Sequence, residues 1–116
     1  MKWAVFIPRF LPERVGGDAI YVRDFTKNLV KKGEEVHIFT TTRMSSLAGV
    51  QEEEGVKIHR IWVEKGNAGV LRFKIRRRLT EYFKKIDKEI KFDILNIHAP
   101  FVINYGGLRK ELKIVY

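Results

Sequence analysis

The chain has 116 residues, 45% hydrophobic and 32% charged, a balance that suits one globular domain and excludes a disordered chain. It carries a formal charge of +9 and no cysteine, which excludes disulfides, thiolate metal sites and a cysteine nucleophile. No apolar run approaches the roughly 18 residues of a membrane span and no signal-peptide pattern opens the chain, so a cytoplasmic protein is expected.

The run WAVFI at 3–7 is continuously apolar, as expected of a strand covered on both faces by helices. The loop PRFLPERVGG follows, punctuated by Pro8 and Pro12 and closed by Gly16 and Gly17. Asp18 falls at an N-cap position. Ile20, Val22, Phe25, Leu29 and Val30 recur mostly at spacings of three and four, predicting a helix to Lys32 with Gly33 as its C′ residue. The strand predicted at 35–41 follows too closely for anything but a return into the same sheet, which makes a right-handed βαβ unit.

A glycine turn at the carboxyl end of a strand, opening a helix, offers unpaired N–H groups and a positive dipole end to an anion. The plainer use of Gly16 and Gly17 is to bend the chain into the helix. Neither GxGxxG nor GxxxxGK[ST] is present, and the second strand ends in three threonines instead of a ribose-binding acid. A dinucleotide oxidoreductase and a P-loop NTPase are disfavoured.

Residues 43–55 (RMSSLAGVQEEEG) read as a polar loop, and 55–63 alternates as a third strand near a sheet edge. From Val70 to Ile90, the residues Leu71, Ile75, Leu79, Tyr82, Phe83, Ile86 and Ile90 form one apolar helical stripe. Its other faces carry Arg72, Lys74, Arg76, Arg77, Arg78, Lys84, Lys85, Lys88 and Lys91. Three uses compete for that charge: a solvated outer face, an anionic membrane surface worth about 1 kcal/mol per basic residue, and nucleic acid. No RNP, helix-turn-helix or zinc-finger signal supports the last. A fourth strand is predicted at 92–98, a loop merging into a short helix at 99–112, and a fifth strand from Lys113. The whole is expected to be a single α/β domain with a mainly parallel sheet of about five strands. His37 and His59 fall inside strands, as ordinary sheet residues, and His98 falls at a strand's ligand-side end. The three histidines lack zinc-ligand spacing, and no Ser-His-Asp set or paired carboxylates stand ready for hydrolysis.

The spacing Pro8-x(7)-Gly16-Gly17, followed by Tyr21-Val22, Leu29, Gly33, Glu35-Val36 and Phe39-Thr40, resembles the amino-terminal domain of glycosyltransferase family 4, of the GT-B fold. The stretch GGDAIYVRDFTKNLVKKGEEVHIFTTT is similar to the sucrose-phosphate-synthase-like branch. The resemblance implies a Rossmann-like three-layer α/β/α domain, a nucleotide-sugar donor, hexosyl transfer with retention, and neither cofactor nor metal. It implies that Gly16 and Gly17 hold the donor diphosphate or an acceptor phosphate, with Arg9 or Arg14 adding a charge-assisted bond. His98 would contact sugar or acceptor, and Phe101, Asn104 and Tyr105 would line the acceptor side. Where the family often has a histidine pair two apart, this sequence has Asn96 and His98.

The family's second, donor-binding domain with its acidic E-x(7)-E motif does not follow in this sequence. The expectation is therefore an incomplete amino-terminal GT-B domain over 1–116, inactive without that domain or a separate donor-binding subunit. Membrane-associated GT-B enzymes use basic amino-terminal helices, which lends weight to a peripheral membrane contact by the helix at 70–91. Two other classes stay open: a non-catalytic anion- or membrane-binding module, and a flavodoxin-like or response-regulator-like domain.

Overall fold

The computed structural model describes residues 1–64, 66–99 and 102–116. In chain order the elements are β1 (Lys2–Arg9), α1 (Gly17–Lys31), β2 (Glu35–Thr42), a 3-10 turn (Ser45–Leu47), β3 (Gly49–Glu53), β4 (Val56–Trp62), α2 (Ala68–Ile90), β5 (Ile94–Ile97) and β6 (Lys113–Val115). They build one six-stranded sheet in the order β3-β4-β2-β1-β5-β6, parallel throughout except for β3.

Side chains along β1 alternate between two cores, as strand geometry requires. Ala4 and Phe6 join Phe39, Leu79, Phe83, Phe92 and Leu95 beneath α2. Val5 and Ile7 join Val22, Leu29, Ile38 and Ile58 beneath α1. Both faces of β1 are thus covered, which explains its unbroken apolar run. The apolar stripe read on α2 is the buried one, with Ile75, Leu79 and Phe83 at its centre.

Several expectations are refined by the structure. Residues 43–55 are not simply a loop: β3 pairs antiparallel with β4 through a tight turn in which Glu54 and Gly55 both adopt positive φ. Three consecutive glutamates disguised a strand, since Glu is poor in β-propensity, and the turn dipeptide was the missed signal. Gly55 is required there, because a Cβ would also lie 2.8 Å from Val30 Cγ1. The sheet accordingly has six strands, with β4 second from the edge. Gly16, not Asp18, is the N-cap of α1, and Ile20 points outward while Thr26 takes the buried position, its hydroxyl donating to the Val22 carbonyl at 2.8 Å. Of the short helix expected within 99–112, the described residues show Val102 in 3-10 conformation and turns at 106–107 and 110–111, while 100 and 101 lie outside the described residues.

Candidate functional site

The strand order reverses beside β1. From β1 the chain crosses through α1 to β2 on one side, and from β4 it returns through α2 to β5 on the other. Right-handed crossovers in opposite directions put the two helices on opposite faces and leave a crevice at the carboxyl ends of β1 and β5. The glycine turn follows β1 and His98 follows β5, so the topology brings both to that crevice.

Gly16 is extended, and α1 begins at Gly17, with the first helical bond running from the Ile20 amide to the Gly16 carbonyl. Among the described residues, the Gly17 and Asp18 amides meet no protein acceptor. The Asp18 carboxylate has taken the Ala19 amide, at 2.9 Å, and lies 3.4 Å from Arg14 Nε. Nothing stands within 4 Å of where a Cβ on Gly17 would point. Neither backbone conformation nor packing demands glycine at 17, and the open space lies outside the fold.

The loop before this turn is held firmly. Glu13 accepts from the Thr42 hydroxyl at 2.5 Å and from the Arg43 amide at 3.2 Å. Buried Arg60 donates to the Leu11 carbonyl and to Gln51 Oε1, both at 2.6 Å. Neither anchor was anticipated, although Arg60 stands in phase with Val56 and Ile58 on the α1 side of β4, an odd place for a cation unless it has a task.

His98 is half-buried. Its amide donates to the Phe6 carbonyl at 2.9 Å, its ring lies 5.8 Å from the Tyr21 ring, and its Nε2 lies 2.5 Å from Asn96 Oδ1. Burial lowers its pKa, against the upward pull of the Asp18 carboxylate. Burial thus favours the uncharged ring.

The other predicted residues separate. Arg14 stays by the glycine turn, whereas Arg9 pairs with Glu13 at 3.7 Å and lines a different cavity, of about 200 Å³, toward α2. Arg43, Arg72, Val63 and Leu71 line it as well. Asn104 docks on the middle of α2, its amide donating to the Thr80 hydroxyl at 2.9 Å, and its side chain closes a local turn with the Gly106 amide. The Tyr105 hydroxyl accepts from Tyr116 at 2.8 Å, and burial together with that bond pushes its phenol up to about 12. Among the described residues, no contact joins Asn104 or Tyr105 to His98 or the glycine turn. Phe101 lies outside the described residues.

His37 and His59 sit in the α2-side core in one unbroken chain of hydrogen bonds. Glu35 Oε2 lies 3.0 Å from His37 Nε2, His37 Nδ1 lies 2.9 Å from His59 Nε2, and His59 Nδ1 lies 2.7 Å from the Tyr82 hydroxyl. Burial lowers both histidine pKa values, that of His59 to about 4. Among the described residues, no three acidic or histidine side chains gather as a metal site would require.

An open, mainly parallel sheet with opposed helices and a glycine turn at its reversal point defines a Rossmann-like α/β domain. A family model, Glycosyltransferase Family 4, matches residues 15–116, a span that takes in the glycine turn, both helices and His98. The chain belongs to glycosyltransferase family 4. No curated protein matches it directly.

Proposed function

We propose that this chain is the acceptor-side, amino-terminal half of a nucleotide-sugar-dependent hexosyltransferase of the retaining kind, from the sucrose-phosphate-synthase-like branch. One observation carries the reading: in a family 4 domain, the unpartnered amides of Gly17 and Asp18 stand with His98 at the sheet's reversal point. The amides and Arg14 then hold negatively charged oxygens of the donor diphosphate or of an acceptor phosphate, and His98 contacts the reacting sugars. Fixed donors of this kind stabilise charge on a departing diphosphate without reorganising, and neither cofactor nor metal is needed in this scheme. The nearby strand-end cavity, about 200 Å³, is smaller than the roughly 300–1,000 Å³ of a typical small-molecule pocket. We take it as one wall of a cleft whose other wall is a donor-binding domain, in the same chain or a separate subunit. Alone, the chain transfers no sugar.

Two measurements test this. Inorganic pyrophosphate added to the ¹⁵N-labelled chain shifts the Gly16, Gly17 and Asp18 amides, and Gly17→Val weakens the response about tenfold or more with the fold intact. Silent amides at those positions remove the turn from the site. Turnover of nucleotide sugars by the chain by itself defeats the half-cleft assignment.

A second contact is favoured by α2, which exposes apolar groups among its cations. Phe73 is 54% exposed with the Arg76 and Arg77 guanidinium groups each 5.9 Å from its ring centre, and Val70 is 45% exposed. We propose that this end of α2, with Lys74, Arg76 and Arg77, rests on an anionic membrane surface. Arg78 serves less well, because it donates to the Trp62 carbonyl at 2.8 Å, and Lys84 is folded over Gly107. No helix of the described residues is long and apolar enough to cross a membrane. Sedimentation with vesicles of anionic lipid but not of neutral lipid, lost in Phe73→Ser, is the expected result; equal binding to both would end this reading.

A further inference from the structure

We infer that Asn96 is a positioning residue that holds His98 in a single tautomer, with the proton on Nε2 and a bare Nδ1 lone pair turned to the crevice, so that His98 receives a hydrogen bond from a substrate hydroxyl and does not bind the anion. This rests on the crevice being the sugar site proposed above.

The orientation of Asn96 is set from its far side. Its Nδ2 donates to the Val115 carbonyl at 3.3 Å, an acceptor that only the amide nitrogen can satisfy. Oδ1 is thereby the atom left facing His98, and at 2.5 Å it accepts from Nε2. A neutral imidazole that donates through Nε2 keeps its lone pair on Nδ1. Among the described residues, Nδ1 has no protein partner. Asn96 is itself 6% exposed and stands in register with Val5 in mid-sheet, so it is packed too tightly to reorient cheaply.

The groups around the imidazole agree with this assignment. Among the described residues, it meets the neutral amide of Asn96 from β5, and the Tyr21 ring and the Asp18 carboxylate from α1. Among the described residues, Asp18 is the charge that would favour the cation, but it is already engaged by the Ala19 amide and lies beside Arg14. A neutral acceptor next to a turn of bare N–H donors divides the work: the backbone takes the charged oxygens, and His98 takes an O–H. The ligand class that suits both is a polyhydroxylated molecule with an attached phosphate, its hydroxyl near His98 and its anion on the turn.

Long-range ¹H–¹⁵N spectra of the labelled chain read the tautomer directly, with His98→Gln identifying the signals against those of His37 and His59. The expected result is a protonated Nε2 and an unprotonated Nδ1 at pH 8, collapsing in Asn96→Ala to the mixed pattern of an unrestrained imidazole. Asn96→Asp keeps the acceptor and adds a charge, so it restores the single tautomer and raises the His98 titration midpoint above that of the unmodified chain. A role in packing alone would not produce that rescue. A protonated Nδ1, or a tautomer mixture in the unmodified, folded chain, overturns the inference. The pyrophosphate response of the Gly17 amide is read in the unmodified chain, without any of these variants, so failure of the tautomer lock and failure of the anion turn give different results.

Discussion

The polar centre of the α2-side core and the carboxyl edge of the sheet are built from the same residue types and finished differently. In the core, Glu35, His37, His59 and Tyr82 pass hydrogen bonds along a line in which every ring nitrogen has a partner. At the edge, among the described residues, His98 has one nitrogen engaged and one bare, and two amides of the glycine turn lack acceptors. A buried polar group left unpaired costs of the order of 1–3 kcal/mol, so the core must close its chain to be stable. The edge is wet, and its open valences cost little until something binds. The closed polar chain is structural, and the open one at the topological reversal is where the proposed site lies.

Breaking the closed chain should have the largest effect. His59→Ala strands His37 Nδ1 and the Tyr82 hydroxyl and removes a ring stacked 4.6 Å from that of Phe39, so it should cost about 3 kcal/mol in urea unfolding. The pyrophosphate response of the Gly17 amide should survive wherever the variant is folded.

The pH dependence of stability follows from the same pair. Both histidines have folded pKa values below the unfolded 6.5, with His59 at about 4, so below pH 6.5 the unfolded chain takes up protons that the folded chain refuses. Stability is therefore full above pH 6.5, falls as the pH drops toward about 4, and levels off below it as far as these groups are concerned. Urea midpoints measured across that window, with His59→Phe flattening the slope, check the sign.

At the edge the pattern reverses. Gly17→Val should weaken pyrophosphate binding by about tenfold or more, roughly 1.4 kcal/mol, and change stability by no more than about 0.5 kcal/mol. Calorimetry and urea unfolding of one preparation give both values. The smallest expected effect is in Asp18→Asn, which removes the carboxylate competing for the helix terminus. It should tighten pyrophosphate binding by about 0.3–1 kcal/mol, again by calorimetry.

Much of this was legible in the residues, unevenly. Periodicity found β1, α1, β2, β4, α2 and β5, because each buries a face with an unambiguous repeat. It missed β3, whose five residues are all exposed and whose partner is a neighbour across a two-residue turn. It put Arg9 and Arg14 together because they share a loop, whereas Glu13 bonded to the end of β2 turns Arg9 toward α2. The glycine turn and His98 were each visible, but their meeting depended on β5 lying beside β1, which is topology and not pattern. His37 and His59 read correctly as sheet residues; that they face each other needed the β2–β4 register, in which His59 stands opposite Phe39.

The antiparallel ribbon that closes one border of the sheet has a consequence beyond this molecule. Gln51, Glu52, Glu53 and Glu54 run consecutively along that border, so a second copy approaching to extend the sheet would align carboxylate against carboxylate. Charged edge strands of this kind discourage edge-to-edge aggregation. The glutamates that hid a strand from the sequence reading thus help keep the fold from polymerising on that side.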